Sequence, residues 1–184
     1  MAPSLEDLRP RVESALRSIH DFPIKGINFR DIMPMMKQPR LVSELCAAIA
    51  DHVKLRGAVN AVAGLEARGF LFGPQIAAIL DVPFVPIRKK GKLPGDVVRA
   101  TYVKEYGEDV VEIQADALNA GDRVLIVDDL LATGGTLAAA IDLIGKAGGV
   151  VAEAFIIIEL AGLNGRAKLD PAVNTYALIT YPDA

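Results

Sequence analysis

The sequence predicts an α/β fold, a mostly parallel central sheet flanked by helices. Residues 59–64, 83–87, 124–127, 150–158 and 176–180 are short runs rich in β-branched residues. They are apolar at nearly every position, the pattern of strands buried on both faces. Helical patterns alternate with these runs, and that alternation implies parallel strands joined by crossover helices.

Each element has its own signal. Residues 39–55 place Leu41, Leu45, Ile49 and Val53 four apart, with Pro39 near the start and Gly57 just past the end. Residues 70–80 and 135–147 also read as helices, the second closing at Gly148 and Gly149. The first 35 residues hold one amphipathic segment (Leu8, Val12, Leu16, Ile19), started or kinked by Pro10. A loop-like, proline-punctuated piece follows, "DFPIKGINFRDIMP". Region 88–123 departs from the alternation, and its segments 101–103 and 110–113 suit a hairpin rather than a βαβ unit. With no internal repeat, low-complexity tract or linker, residues 1–184 read as one domain.

Composition narrows the function. At 52% hydrophobic and 23% charged residues, the chain is globular rather than disordered. A net charge of −3 supplies no global field for nucleic acid, so an anionic ligand needs a local site. The single cysteine, Cys46, leaves no disulfide framework and no Cys-rich zinc site. The N-terminal stretch is charged and lacks an apolar core, and no apolar run is long enough for a membrane helix. A reduced, cytoplasmic setting is the expectation.

In an open parallel sheet, ligands sit beyond the carboxyl ends of the strands. Three loops fall there. "DDLLATGGT" at 128–136 joins two carboxylates to a small-residue turn. Its glycines let the backbone approach a ligand, free N–H groups of a helix start face it, and Thr133 and Thr136 add hydroxyls. A phosphate monoester fits, although a glycine turn with merely solvated or capping aspartates fits the turn alone equally well. The lysine and spacing of a P-loop are absent, as is G-x-G-x-x-G. "RKKGK" at 88–92 is either a solvated loop or a grip for a di- or polyphosphate. "LEARGFLFG" at 65–73 sets Arg68 just before a helix start, where by itself it reads as a helix-face residue. Together the loops suggest a ligand with phosphates at both ends and hydroxyls between. Aspartates accept hydrogen bonds from vicinal hydroxyls and hold a divalent cation through its waters.

Other residues read as structural. His20 and His52 are over 30 positions apart with no ligand pattern around them. Cys46 reads as a small buried residue, and Met33, Met35 and Met36 as seam fillers. Glu159, at a strand end, either faces the sheet's ligand edge or is structural, the second reading being preferred.

These motifs resemble the type I phosphoribosyltransferases, and most closely their adenine-specific members. "VLIVDDLLATGGT" is similar to the family's phosphoribosyl-pyrophosphate signature, and "GLEARGFLFG" and "IRKKGKLPG" to its two pyrophosphate loops. "EYG" at 105–107 resembles the mobile loop, and "FPIKGINFRDI" at 22–32 the base-binding hood. The resemblance spans about Phe22 to Tyr181, with five motifs in the family's order. Asn28 stands where many members carry a small apolar residue.

The resemblance implies the type I fold, with an N-terminal hood at 1–35, a core at 36–184 and a mobile loop or hairpin near 90–107 over the site. It implies transfer of a phosphoribosyl group from phosphoribosyl pyrophosphate to adenine, giving AMP and pyrophosphate, with Mg²⁺ as cofactor and a homodimer as the assembly. Ala132, Thr133, Gly134, Gly135 and Thr136 would hold the 5′-phosphate, and Asp128 and Asp129 the ribose hydroxyls and, through waters, the metal. Arg68, Arg88, Lys89 and Lys92 would grip pyrophosphate, one of the basic-loop residues reaching a neighbouring subunit's site. The peptide at Glu66–Ala67 would be cis, as in the family. Asn28, Phe29 and Arg30 would frame adenine, and Glu105 would handle its proton. Tyr102 and Tyr106 would cover the site. For Tyr102 a strand-face packing role stands level with that. A non-catalytic sensor of phosphoribosyl pyrophosphate is disfavoured because no basic recognition helix is present. Another purine base remains open, since base choice rests on few contacts.

Overall fold

Chain termini apart, what decides each element is where its apolar side chains can go. A computed structural model describes residues 3–22, 25–104 and 107–182. Five parallel strands form the centre: β3 (Ala61–Leu65), β4 (Phe84–Lys89), β7 (Arg123–Leu131), β8 (Val150–Leu160) and β9 (Thr175–Tyr181). The hairpin β5 (Val97–Lys104) and β6 (Gly107–Gln114) extends this sheet antiparallel, giving the order β5-β6-β4-β3-β7-β8-β9.

Helices cover both faces, as the alternation predicts. On one face α3 (Pro39–Lys54) and α4 (Gly73–Leu80) pack against Leu125, Val127, Phe155 and Ile157 of the strands. On the other, α5 (Gly135–Lys146) lies with the hairpin over Val124, Ile126, Ala154 and Ile156. Leu41, Leu45, Ile49 and Val53 are all buried, so the four-residue spacing read on α3 is its core face.

The N-terminal region differs from the sequence reading in two ways. Helix α1 (Leu5–Ser14) starts at a Ser4–Asp7 capping box and carries Pro10 in its interior. Leu8 and Val12 are buried on it, but Leu16 and Ile19 lie beyond its end. Ile19 belongs to β1 (Arg17–His20), which pairs with β2 (Asn28–Asp31) in a two-stranded ribbon. The proline-punctuated stretch expected as loop therefore contains a strand, because a short exposed ribbon needs no long apolar run. A short helix, α2 (Met33–Met36), follows. Met35 fills the seam as expected, whereas Met33 is 44% exposed.

The remaining differences lie at strand ends. The helix expected at 70–80 is a 3₁₀ turn (Arg68–Leu71) followed by α4. β7 extends past the apolar run through both aspartates, its backbone staying in register with β8 at Asp128–Ile156 and Leu130–Ile158. Cys46 is buried, and burial pushes its thiol up to about 12.

After β7 the chain turns at Gly134, with φ of 79°, into α5. A 3₁₀ turn, Gly165–Lys168, packs against it so closely that a Cβ on Gly165 would sit 2.2 Å from the Ala132 carbonyl oxygen. Gly165→Ala should therefore destabilise the chain by about 1–3 kcal/mol, because neither backbone can give way. Gly145→Ala, in open space on α5, should stabilise it by about 0.5–1 kcal/mol. Urea unfolding midpoints of the two variants check the opposite signs.

Candidate active site

The carboxyl ends of β3, β4 and β7 open into a cavity of about 280 Å³. Lining it are Glu66, Ala67 and Arg68 after β3, Lys89 of β4, Asp128 to Leu131 of β7, and residues 132–137. Tyr102 of β5 closes one side.

The loop after β3 is pressed into place by missing side chains. A Cβ on Gly69 would meet the Val127 carbonyl oxygen at 2.5 Å, and one on Gly73 would meet the Phe84 ring at 2.4 Å. That approach brings Arg68 Nε to 3.1 Å from Asp129 Oδ2. The two charges pair without the alignment of a hydrogen bond, so Asp129 Oδ2 is buried with no hydrogen-bond donor. The Glu66–Ala67 peptide is cis.

Strand alternation carries Asp128 on in the row of Val124 and Ile126, and Asp129 in the row of Leu125 and Val127. The Asp129 amide donates to Asp128 Oδ1 at 2.9 Å. Burial and the neighbouring Asp129 charge push the Asp128 carboxyl well above the ordinary aspartate value. Burial raises Asp129 too, with the Arg68 charge opposing the rise. Such a pair is receptive to hydroxyl donors or a cation.

The turn keeps its predicted character. Gly134 takes the left-handed conformation, and Gly135 and Thr136 open α5 at the cavity, where first-turn N–H groups have no intrahelical partner. Thr136 Oγ1 donates to the Tyr102 hydroxyl at 3.1 Å. Tyr102 also packs against the core beneath α5, so it both borders the cavity and rests on the sheet.

The basic loop divides. Lys89 lines the cavity, while Arg88 and Lys92 do not. Arg88 forms a two-pronged pair with Glu66 at 3.1 and 3.2 Å and donates to the Lys92 carbonyl. Its guanidinium holds the Glu66 carboxyl below the usual range. In the hood, Asn28, Phe29 and Arg30 lie on β2 rather than on the cavity wall. Phe29 still reaches the site, with the Arg68 guanidinium 5.5 Å from its ring centre. Arg30 lies over the Tyr181 ring at 4.0 Å and donates to Ser18 Oγ. Glu105 and Tyr106 lie outside the described residues.

Sequence reasoning missed Glu112 altogether. It is fully buried on β6, where Oε1 accepts from the amides of Gly91, Lys92 and Leu93 and Oε2 from Arg99. Burial works against its charge, yet Arg99 and the three amides outweigh burial and lower its pKa. The only signal was an acidic residue inside an apolar strand run. Glu159 does not line the cavity and forms a two-pronged pair with Arg166 at 2.6 and 2.9 Å. His52 pairs with Glu153 at 2.6 Å across 101 residues, away from the cavity.

Known proteins share this fold. The phosphoribosyl transferase domain model matches residues 35–174. The adenine phosphoribosyltransferase of Caenorhabditis elegans is 64% identical over 183 residues, covering 99% of this chain and 98% of that one. The chain belongs to the adenine phosphoribosyltransferase family. The human adenine phosphoribosyltransferase is 47% identical over 92% of this chain and 95% of its own length. The Saccharomyces cerevisiae enzyme, solved with an imino-altritol bisphosphate and adenine, superposes with a TM-score of 0.90 at 41% identity, covering 94% of this chain and 99% of that one. The Trypanosoma brucei enzyme, solved with AMP, pyrophosphate and ribose-5-phosphate, gives 0.86 at 28% identity, covering 94% and 79%. For an adenine phosphoribosyltransferase the parallel sheet and the cavity at its carboxyl edge are the expected frame.

The raised carboxyls make a stability prediction with a definite sign. A carboxyl whose folded pKa exceeds its unfolded value contributes stability that is present below the unfolded value, 3.8 here, and lost as pH rises through the folded value. Asp128→Asn should melt above the parent at pH 7, and the difference should close as pH falls towards 4. Melting temperature against pH for both proteins measures this.

Proposed function

We propose that the cavity transfers the 5-phosphoribosyl group from phosphoribosyl pyrophosphate to adenine, giving AMP and pyrophosphate, a purine-salvage reaction. One observation carries the assignment of roles: a phosphate-suited turn, a carboxylate pair and two cations, Arg68 and Lys89, line a single cavity.

The roles divide along the ligand. The turn of Ala132, Thr133, Gly134, Gly135 and Thr136 takes the 5′-phosphate through backbone N–H groups and hydroxyls. Asp128 and Asp129 accept from the ribose hydroxyls. Arg68 and Lys89 meet the pyrophosphate. Arg88 shapes the loop through Glu66, and Lys92, which does not line the cavity, is the residue suited to a neighbouring subunit in a homodimer. Phe29, beside Arg68, brings the hood to the adenine end, with Asn28 and Arg30 on the same strand.

In the reaction the bond from C1′ to the pyrophosphate oxygen breaks, the bond from C1′ to adenine N9 forms, and the N9 proton leaves. Positive charge develops on the sugar while negative charge grows on pyrophosphate. Arg68 and Lys89 stabilise the growing charge more in the transition state than before it, which lowers the barrier. The aspartates orient the ribose and place a negative field beside the nascent cation. Glu105 accepts the adenine proton, a contribution of about 10²–10⁴-fold for general acid–base help. The 90–107 segment, with Gly91 and Gly95 in positive-φ conformations, serves as the cover that keeps water from the sugar cation.

The donor set suits Mg²⁺ brought in with the substrate. Asp129 Oδ2 has no hydrogen-bond donor, and among the described residues no group of three or more His, Cys, Asp or Glu side chains stands ready to hold a metal by itself. Asp128 and Asp129 would hold it through waters, and when bound it supplies positive charge to the pyrophosphate. No helix among the described residues is long and apolar enough to cross a membrane, and the cytoplasm is the proposed setting.

Purified chain incubated with phosphoribosyl pyrophosphate, Mg²⁺ and each purine in turn should release pyrophosphate with adenine. Turnover with hypoxanthine and none with adenine would reassign the base. Asp128→Asn combined with Asp129→Asn should cut turnover at least about a hundredfold while the chain stays folded. Unchanged activity in that double variant would remove the ribose role.

A further inference from the structure

Beside the phosphate turn, a carboxylate sets the direction of two hydroxyls. Tyr102 and Asp109 stand directly opposite each other in the β5–β6 register. The Tyr102 hydroxyl donates to Asp109 Oδ2 at 3.1 Å. An ionised carboxylate only accepts, so this bond uses the single phenolic proton. Thr136 Oγ1 lies 3.1 Å from the same phenolic oxygen, and with that proton committed the threonine must be the donor.

The Thr136 proton is thereby engaged before any ligand arrives. A phosphate dianion also only accepts. Thr136 can serve it only by withdrawing its one proton from Tyr102, and the phenol, still bonded to Asp109, has none to give in return. Phosphate binding therefore breaks one hydroxyl–hydroxyl bond, a loss worth about two- to tenfold in affinity.

We propose that Asp109 is a positioning residue which, through Tyr102, holds the Thr136 proton off the incoming phosphate and so sets the affinity of the turn. The proposal rests on the reading that the 132–136 turn holds the 5′-phosphate. It places a determinant of phosphate affinity on β6, outside the residues lining the cavity. If the Asp109 acceptor is removed, the phenol turns its proton to Thr136 Oγ1. Thr136 then donates to phosphate while keeping its bond to Tyr102.

Calorimetric binding of ribose 5-phosphate to the full chain tests this. Asp109→Ala should lower Kd about two- to tenfold. Asp109→Asn loses the same charge but keeps a carbonyl acceptor for the phenol, and should bind within about twofold of the parent. In a Thr136→Val background, Asp109→Ala should change nothing. Tyr102→Phe removes the competing acceptor itself, and it provides a second route if Asp109→Ala folds poorly. It should also tighten binding only where Thr136 is intact. Equal tightening by Asp109→Ala and Asp109→Asn would reduce the effect to charge and overturn the proposal. So would a gain that persists in Thr136→Val, or no gain in a folded Asp109→Ala. Thr136→Val binding as well as the parent would overturn the phosphate reading of the turn along with it. Weakened binding in Thr136→Val with no gain from Asp109→Ala would overturn this inference alone.

Discussion

Two carboxylates at the end of β7 repel one another where little water can separate them, and the rest of the site is arranged around that repulsion. Burial alone would favour their protonated forms, and each charge makes the other harder to keep. The Arg68 guanidinium offsets part of this for Asp129. Asp128 has an amide from the next residue but no cation of its own among the contacts described. The pair therefore holds unspent capacity to accept hydrogen bonds and positive charge, which is what a ribose diol and a hydrated metal ion provide.

Keeping that capacity in place takes structure from several elements. Gly69 lets the β3 loop lie on the Val127 carbonyl, and without that approach Arg68 would stand too far from Asp129. Gly165 does the same for the turn at Gly134. On the cationic side, Glu66 and Glu112 absorb the donors of the basic loop: one pairs with Arg88, and the other takes three successive amides. Four cations in five residues would otherwise repel each other. With Arg88 and the loop backbone tied down, Lys89 is the basic-loop side chain at the cavity.

The fold was legible because buried parallel strands leave apolar runs, and the strands lie where 59–64, 83–87, 124–127, 150–158 and 176–180 place them, within a few residues. The exception at β7 is instructive. Hydropathy ends the strand at Val127, whereas backbone pairing with β8 continues to Leu131, and hydropathy is blind to backbone pairing. Leu16 and Ile19 fit a helical spacing but lie beyond α1, since a four-residue spacing does not reveal where a helix stops. In the site, the small-residue turn and the acidic pair were readable from local motifs, whereas Arg68 alone reads as a helix-face residue and stands out only beside the other two loops. Glu112, Gly165 and Asp109 were not readable, because each acts on residues distant in sequence or across a hairpin whose register the sequence leaves open. Arg88 shows the converse limit. A local charge run marks a cation but does not reveal that Glu66, 22 residues earlier, already holds it.

The central claim is that the Asp128–Asp129 pair is held at a cost in the free chain and is relieved by its ligand. Carbon-13 titration of the two side-chain carboxyls reads it directly, first in the free protein and then with phosphoribosyl pyrophosphate and Mg²⁺ bound. The account predicts that both titrate above the ordinary aspartate range in the free chain and that both fall when the ligand is bound. Ordinary values in the free protein that do not move on binding would contradict it.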